Sequence, residues 1–214
     1  MKKNGTMKKI IAMSIAVFLL GGICAPTENV EAATKQSTIR SAYAKVIKKN
    51  KNKYRNDEFF VIRDLDKNGV PELILYWDEY SSNSSNVSSI DVEDNVFSRE
   101  LMVYTYQNGK IKKVCEGDDG MTCIGVHFKN SVIVEDMHVA GGYTDTTFCK
   151  YSKGKCSKTI AEAIQEDFKY RYIVDGKKTT EEKYYKRVKA LTSGKSVVTF
   201  YKATDRNIKA HCLK

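Results

Sequence analysis

Oxygen-bearing residues alternate along one short segment, which reads D-L-D-K-N-G-V-P-E from Asp64 to Glu72. Calcium in proteins takes six to eight oxygen ligands, and a glycine allows the chain to turn tightly around the ion. The candidate ligands stand at relative positions 1, 3, 5, 7 and 9, with the position-7 residue offering its carbonyl: Asp64, Asp66, Asn68, Val70 and Glu72. The sequence therefore predicts a calcium site in this segment.

The same segment is also compatible with a hydrogen-bonded Asx turn that holds no ion. Three carboxylates so close in sequence would repel one another without a cation. We favour calcium for that reason, and the empty turn remains the alternative.

The residues on either side of the segment decide what kind of element carries it. An EF-hand requires a glutamate at about position 12 and two flanking helices, whereas position 12 here is Leu75. The flanks, Phe59–Ile62 and Leu73–Trp77, are aromatic and aliphatic runs typical of strands. We therefore predict a calcium-binding hairpin over residues 59–77.

This hairpin resembles the D-x-D-x-[DN]-G-x-x-[DE] calcium hairpin of integrin-type FG-GAP repeats. The stretches FFVIRDLDKNGVPELILYW and YIVDGKKTTEEKYYKRVKAL are also similar to segments of uncharacterised secreted proteins of Gram-positive bacteria. The resemblance implies calcium binding and carries no known activity.

The N-terminus has the layout of a secretory signal peptide. Four lysines within the first nine residues precede an apolar stretch, Ile10–Ile23, and small residues follow around Val30-Glu31-Ala32. We predict that residues 1–33 are a signal peptide and that residues 34–214 form one secreted domain with no membrane span. Lipid attachment at Cys24 is an alternative, although Ile23 stands where such a site has a small residue.

The charge of the chain indicates its class of partner. Of 36 basic and 26 acidic side chains, the predicted leader contains four lysines and two glutamates, which leaves 32 and 24 and a net charge of +8. We expect an extracellular partner: an anionic cell-wall polymer, a glycan or another protein. No specific nucleic-acid partner and no membrane-spanning segment are predicted for the mature chain, and we expect it outside the cell, in the medium or at the cell surface.

Five cysteines remain after the leader, an odd number that permits at most two disulfides within one chain. The spacing leaves the connectivity open. Our working hypothesis pairs Cys115 with Cys123 and Cys149 with Cys156, and leaves Cys212 single.

The periodicity of the chain predicts an α+β fold. An amphipathic helix is expected over 38–49, and an antiparallel β-meander with an Asn108-Gly109 turn from residue 101 onward. Thr179-Thr180-Glu181-Glu182 resembles a capping box, so a second helix should begin there, and Thr204 should cap a third. We predict one antiparallel sheet with these helices packed on it.

Few residues are suited to catalysis. The most suggestive group is Asp136, His138 and Asp145 beside a Gly-Gly pair, which could serve a hydrolase. Two tyrosine pairs, Tyr104 with Tyr106 and Tyr170 with Tyr172, alternate on strands and could bind sugars or anionic polymers. The sequence favours a secreted, calcium-stabilised binding or adhesion-type module over the alternative, a secreted hydrolase.

Overall fold

The computed structural model describes residues 27–51, 57–77, 87–117, 121–139 and 142–213, with side chains described from Lys35 onward. The chain divides into two units, Met1–Lys35 and Gln36–Lys214. Apart from the first residues of helix α1 (Thr27–Asn50), the described residues belong to the second unit. Most of the predicted signal peptide, including Cys24, lies outside the described residues.

The first sheet has six antiparallel strands in the order β3-β13-β1-β2-β5-β6. Their bounds are β1 (Glu58–Arg63), β2 (Glu72–Trp77), β3 (Ser89–Glu93), β5 (Leu101–Gln107), β6 (Lys110–Glu116) and β13 (Val197–Lys202). The last strand of the chain, β13, lies between β1 and β3 and pairs with both.

The second sheet has seven strands in the order β12-β11-β10-β9-β8-β7-β4, again antiparallel throughout. Their bounds are β4 (Asn95–Ser98), β7 (Thr122–His127), β8 (Val132–Val139), β9 (Tyr143–Ser152), β10 (Lys155–Glu166), β11 (Lys169–Val174) and β12 (Lys177–Thr179).

Three buried clusters show how these elements are layered. The inner faces of both sheets meet in one cluster, which includes Phe59, Ile74, Ile124 and Phe200. The outer face of the first sheet packs against α1 and α3 (Asp205–Cys212), and the outer face of the second packs against α2 (Glu181–Thr192). The domain is therefore a two-sheet sandwich with helices on both outer faces.

Local sequence signals explain where the helices begin. The side chain of Thr180 accepts a hydrogen bond from Lys183 N at the start of α2, and Thr204 accepts one from Asn207 N at the start of α3. Both are N-caps that satisfy an otherwise unpaired backbone donor. The Asn108-Gly109 turn between β5 and β6 has positive φ at both residues, as a type I′ hairpin requires.

The predicted fold class is confirmed, because the chain is α+β with antiparallel sheets, an N-terminal helix and C-terminal helices. The strands divide between two sheets where the sequence predicted one, and β3, β4 and β12 were not predicted. In the described part of the chain, no helix has both the length and the apolar character needed to cross a bilayer.

Candidate metal centre

The predicted calcium segment is the loop that joins β1 to β2, two neighbouring strands in the interior of the first sheet. Its tip contains two residues with left-handed backbone angles, Lys67 (φ 60°) and Gly69 (φ 83°). Glycine adopts such angles without steric cost, so Gly69 allows the loop to close. The strand-loop-strand arrangement around the loop agrees with the sequence prediction.

Asp64 and Asp66 fold the loop by accepting hydrogen bonds from its backbone. The two carboxylate oxygens of Asp64 accept from Asn68 N at 3.1 Å and Gly69 N at 2.8 Å, and Asp66 Oδ1 accepts from Asn68 N at 3.3 Å. The side-chain oxygen of Asn68 accepts from Val70 N at 2.7 Å. The predicted ligands Asn68 and Val70 are thus hydrogen-bonded to each other.

Glu72 is the first residue of β2 and is fully buried. Its Oε2 accepts from Leu65 N at 2.9 Å, and its Oε1 accepts from the Tyr151 hydroxyl at 2.8 Å and from Thr105 Oγ1 at 3.2 Å. Burial raises the pKa of Glu72 to about 7; the charge of Asp66 also raises this pKa, and the three hydrogen bonds lower it. A nearby cation would favour the ionised form.

The three carboxylates converge. One oxygen each from Asp64, Asp66 and Glu72 lies within 4.8 Å of the other two. Calcium binds oxygens at about 2.3–2.6 Å, so two ligands of one ion can be at most about 5 Å apart. The spacing of the three carboxylates is therefore compatible with shared coordination of a single calcium ion.

Helix α1 fixes the loop from one side. Gln36 Nε2 donates to the carbonyl of Gly69 at 2.7 Å, and the buried Tyr43 hydroxyl donates to the carbonyl of Pro71 at 2.8 Å. These contacts join the loop to a helix whose apolar side packs on the same sheet. The loop is thereby held in one position relative to α1.

The second sheet fixes the loop from the other side. The hydroxyl of Ser131, the residue before β8, donates to the carbonyl of Leu65. The backbone N–H of Lys153, in the turn between β9 and β10, donates to Asp66 Oδ2. The loop thus bridges the two sheets, and Asp66 takes part in that bridge.

Two residues that orient Glu72 were not found by sequence reasoning. Thr105 lies 33 residues from Glu72, and Tyr151 lies 79 residues away. No local motif connects residues at such separations. Only the packing of the two sheets brings the Tyr151 hydroxyl to the Glu72 carboxylate.

The structure brings together two of the three residues of the alternative hydrolase site. His138 Nε2 lies 2.9 Å from Asp136 Oδ2, and Thr146 Oγ1 donates to Asp136 Oδ1 at 2.6 Å. Asp136 is directly opposite Thr146 on β9, so the next residue, Asp145, points to the other face of the sheet. Asp145 accepts hydrogen bonds from the Tyr143 hydroxyl and from Thr147 Oγ1, and it is not part of the pair.

Asp136 also lines an open cleft of about 390 Å³ on the outer face of the second sheet. The cleft contains His127, whose pKa is lowered because burial disfavours the charged imidazole. Asn95 Nδ2 lies 3.5 Å from His127 Nδ1. The cleft is lined by a mixture of carboxylate, amide, imidazole and aromatic groups.

Four tyrosines form a cluster where β11 meets α2, here called the tyrosine cluster: Tyr170, Tyr172, Tyr184 and Tyr185. The rings of Tyr170 and Tyr172 are stacked with centroids 5.9 Å apart, and Tyr172 lies 5.0 Å from Tyr184. Tyr170 and Tyr185 are each 55% exposed. The predicted tyrosine pair on β11 is therefore part of a larger, half-exposed aromatic surface.

Comparison with protein-family models, with curated proteins and with solved structures found no match to this chain.

Proposed function

We propose that this protein is a secreted binding module whose fold is stabilised by calcium. The observation that carries the proposal is the convergence of Asp64, Asp66 and Glu72 in a loop that contacts α1 and both sheets. A cation among these carboxylates would relieve their repulsion and favour the ionised form of the buried Glu72. Calcium is the candidate ion because all the donors are oxygens.

The proposed role of the ion is structural. The ligands connect β1 to β2, and the same loop contacts the turn between β9 and β10. Extracellular modules commonly bind calcium with Kd values of about 10⁻⁴–10⁻³ M, and a ligand that binds only the folded state stabilises it. The ion would therefore act as a clamp between the two sheets.

The test is a calcium titration of chelator-treated protein, followed by its melting temperature. At a hundredfold excess of calcium over Kd the expected stabilisation is about 2.7 kcal/mol, or roughly 5–10 °C for a domain of this size. The Asp64→Ala/Asp66→Ala double variant should lose this calcium-dependent rise. Glu93→Ala, on the edge strand β3 three strands away from β2, is the matched control and should keep it.

The readout is the rise in melting temperature that calcium causes in each protein. The melting temperature itself cannot be compared directly, because the double variant also loses hydrogen bonds within the loop and is less stable without calcium. A wild-type melting temperature that does not change with calcium would refute the metal proposal. The same rise in wild type and double variant would refute this location for the ion.

The proposed binding surface is the tyrosine cluster. Exposed tyrosine rings combine apolar area with a polar tip, which suits wet recognition of sugars. Helix α2 adds the basic residues Lys183, Lys186 and Lys189, all exposed, beside the cluster. We propose an anionic cell-wall polymer or glycan as the partner, with another protein as the alternative.

Sedimentation with purified Gram-positive cell walls tests this surface, using walls with and without their anionic polymers extracted. Tyr170→Ala and Tyr185→Ala should each reduce the bound fraction, whereas Phe97→Ala, another exposed aromatic on β4, should not. Equal binding by all three variants would rule out the tyrosine cluster as the surface. Loss of binding to extracted walls would identify the anionic polymer as the ligand.

The hydrolase alternative rests on the Asp136–His138 pair, and Asp145 does not join that pair in the structure. No third residue that orients the histidine was found among the described residues. We therefore retain binding as the proposed function.

A further inference from the structure

Cys149 and Cys156 lie on the two strands of one hairpin and face the same side of the second sheet. Cys156 on β10 is directly opposite Tyr151 on β9, and Cys149 precedes Tyr151 by two residues. Residues two apart on a strand share a face, as do directly opposite residues on paired strands. Both thiols are therefore on the face that carries Tyr151 into the interior between the sheets.

A β-bulge brings the two thiols together. The register of β10 shifts between Cys156 and Lys158, so Ser157 is an extra residue in that strand. Such bulges bend the strand and re-aim side chains. The Cys156 thiol is within hydrogen-bonding reach of Cys149 and lowers its pKa, and the Cys149 thiol itself donates to the carbonyl of Lys150 at 3.6 Å.

The surroundings distinguish the two sulfurs chemically. The hydrogen bond from Cys156 lowers the pKa of Cys149, and the same interaction raises the pKa of Cys156. A thiolate is the nucleophile in disulfide exchange. Cys149 is buried, whereas Cys156 is exposed and can meet a reagent from solvent. The exposed sulfur is thus accessible, and the buried one is suited to attack it.

A third thiol lies nearby. Cys115 on β6 faces the interior between the sheets, and it is close enough to influence the pKa of Cys156. Burial raises the pKa of Cys115 itself to about 12. Cys123 is opposite Asp136, on the outer face of the second sheet, so the hypothesised Cys115–Cys123 pair is wrong.

We propose that Cys149 and Cys156 form a disulfide that closes the β9–β10 hairpin. The oxidant is a small-molecule disulfide such as oxidised glutathione. Cys156, which is the exposed thiol, loses its proton and bonds to one sulfur of the oxidant, and the other sulfur leaves as a thiol. The Cys149 thiolate then attacks the Cys156 sulfur, and the second half of the oxidant leaves as a thiol. Two protein thiols are oxidised, and one external disulfide is reduced to two thiols.

The bond would brace the turn that contacts the candidate metal loop, because Lys153 N donates to Asp66 from the turn between these strands. Formation of the disulfide does not depend on the proposed calcium site, and the two are tested separately.

The test uses the whole protein, reduced and then equilibrated with oxidised glutathione, with and without a calcium chelator. Remaining thiols are alkylated, and tryptic peptides are identified by mass spectrometry without reduction. Cleavage after lysine separates the two cysteines into peptides 130–150 and 156–158. The expected product is these two peptides joined, lighter than their sum by two hydrogen atoms, under both conditions.

Two variants complete the test. Cys115→Ala should retain the joined peptides, and Cys156→Ser should abolish them. Oxidation should raise the melting temperature of wild type and of Cys115→Ala by about 5–10 °C, as expected for a short closed loop, and should leave that of Cys156→Ser unchanged. Full alkylation of both cysteines, or a link from peptide 130–150 to peptide 114–129 or to another molecule, would overturn the proposal.

Discussion

Glu58, the first residue of β1, is the clearest site for a stability measurement because it is a carboxylate in an apolar setting. Its side chain is only 4% exposed, and neither carboxylate oxygen has a hydrogen-bond partner among the described residues. Glu58 is directly opposite Trp77, which packs in the cluster beneath α1. Burial raises the pKa of Glu58 to about 8, and the charge of Lys51 lowers it in part.

The effect of Glu58 on the free energy of unfolding follows from its pKa values in the unfolded and the folded protein. In the unfolded chain the carboxyl ionises near pH 4.5, whereas in the folded protein it stays protonated until about pH 8. Each pH unit between these values is worth about 1.4 kcal/mol. The folded state binds the proton more tightly, so this group lowers stability as the pH rises from 4.5 to 8. The total loss is at most about 5 kcal/mol, and it is absent below pH 4.5.

Glu58→Gln keeps the shape of the side chain and removes the charge. At pH 5 the variant and wild type should have nearly equal free energies of unfolding, since both side chains are neutral in the folded state. At pH 9 the variant should be more stable by several kcal/mol, and its urea midpoint should be higher by about 2 M for a typical slope of unfolding free energy against urea. Comparing the two proteins at each pH cancels the contributions of all other titrating groups.

If the free energies of unfolding of Glu58→Gln and wild type differ by the same amount at pH 5 and at pH 9, this reasoning is refuted. In that case the carboxylate is solvated in the folded protein, and burial does not control its ionisation.

Two further predictions concern the neighbourhood of the metal loop and one edge of the fold. Tyr151→Phe removes a hydrogen bond to the ionised Glu72, so it should lower the free energy of unfolding by about 1.5–3 kcal/mol above pH 7 and by clearly less at pH 5. Urea unfolding at the two pH values measures this difference, and an equal loss at both would contradict the role given to this bond. Gly117→Ala would place its Cβ 2.1 Å from the backbone oxygen of Arg99 and should lower the free energy of unfolding by more than 2 kcal/mol. In Gly69→Ala the Cβ meets no atom within 4 Å, so this variant should lose only about 1 kcal/mol, through its positive φ. Melting temperatures in the opposite order would show that the backbone near Gly117 relaxes.

Local signals in the sequence were sufficient for most individual elements. The Asn108-Gly109 turn and the strands around the Asp64–Glu72 segment depend on neighbours within a few residues, and they occur as predicted. Helix α2 begins at the predicted place, but its N-cap is Thr180, one residue later than a capping box closed by Glu182 requires. These features are decided by backbone angles and side-chain periodicity. Such properties can be assessed without knowledge of the tertiary fold.

The division into two sheets could not be predicted in the same way. Strands β6 and β7 follow each other in the chain but belong to different sheets, and the sequence pattern did not predict that change. Strands β3 and β4 are short, and a positive-φ residue, Asp94, separates them. The partner of β3 is β13, about 100 residues away, and the partner of β4 is β7, about 30 residues away. Both pairings depend on contacts that no local pattern reveals.

The position of β13 affects how the nascent chain can fold. Because this strand fills the space between β1 and β3, the first sheet has an interior gap until residues 197–202 have been synthesised. During that interval β1 has an unpaired edge, which is a hazard for self-association. Productive folding of this sheet must therefore wait for β13, and a chain truncated before Val197 should accumulate as aggregates or remain bound to a chaperone.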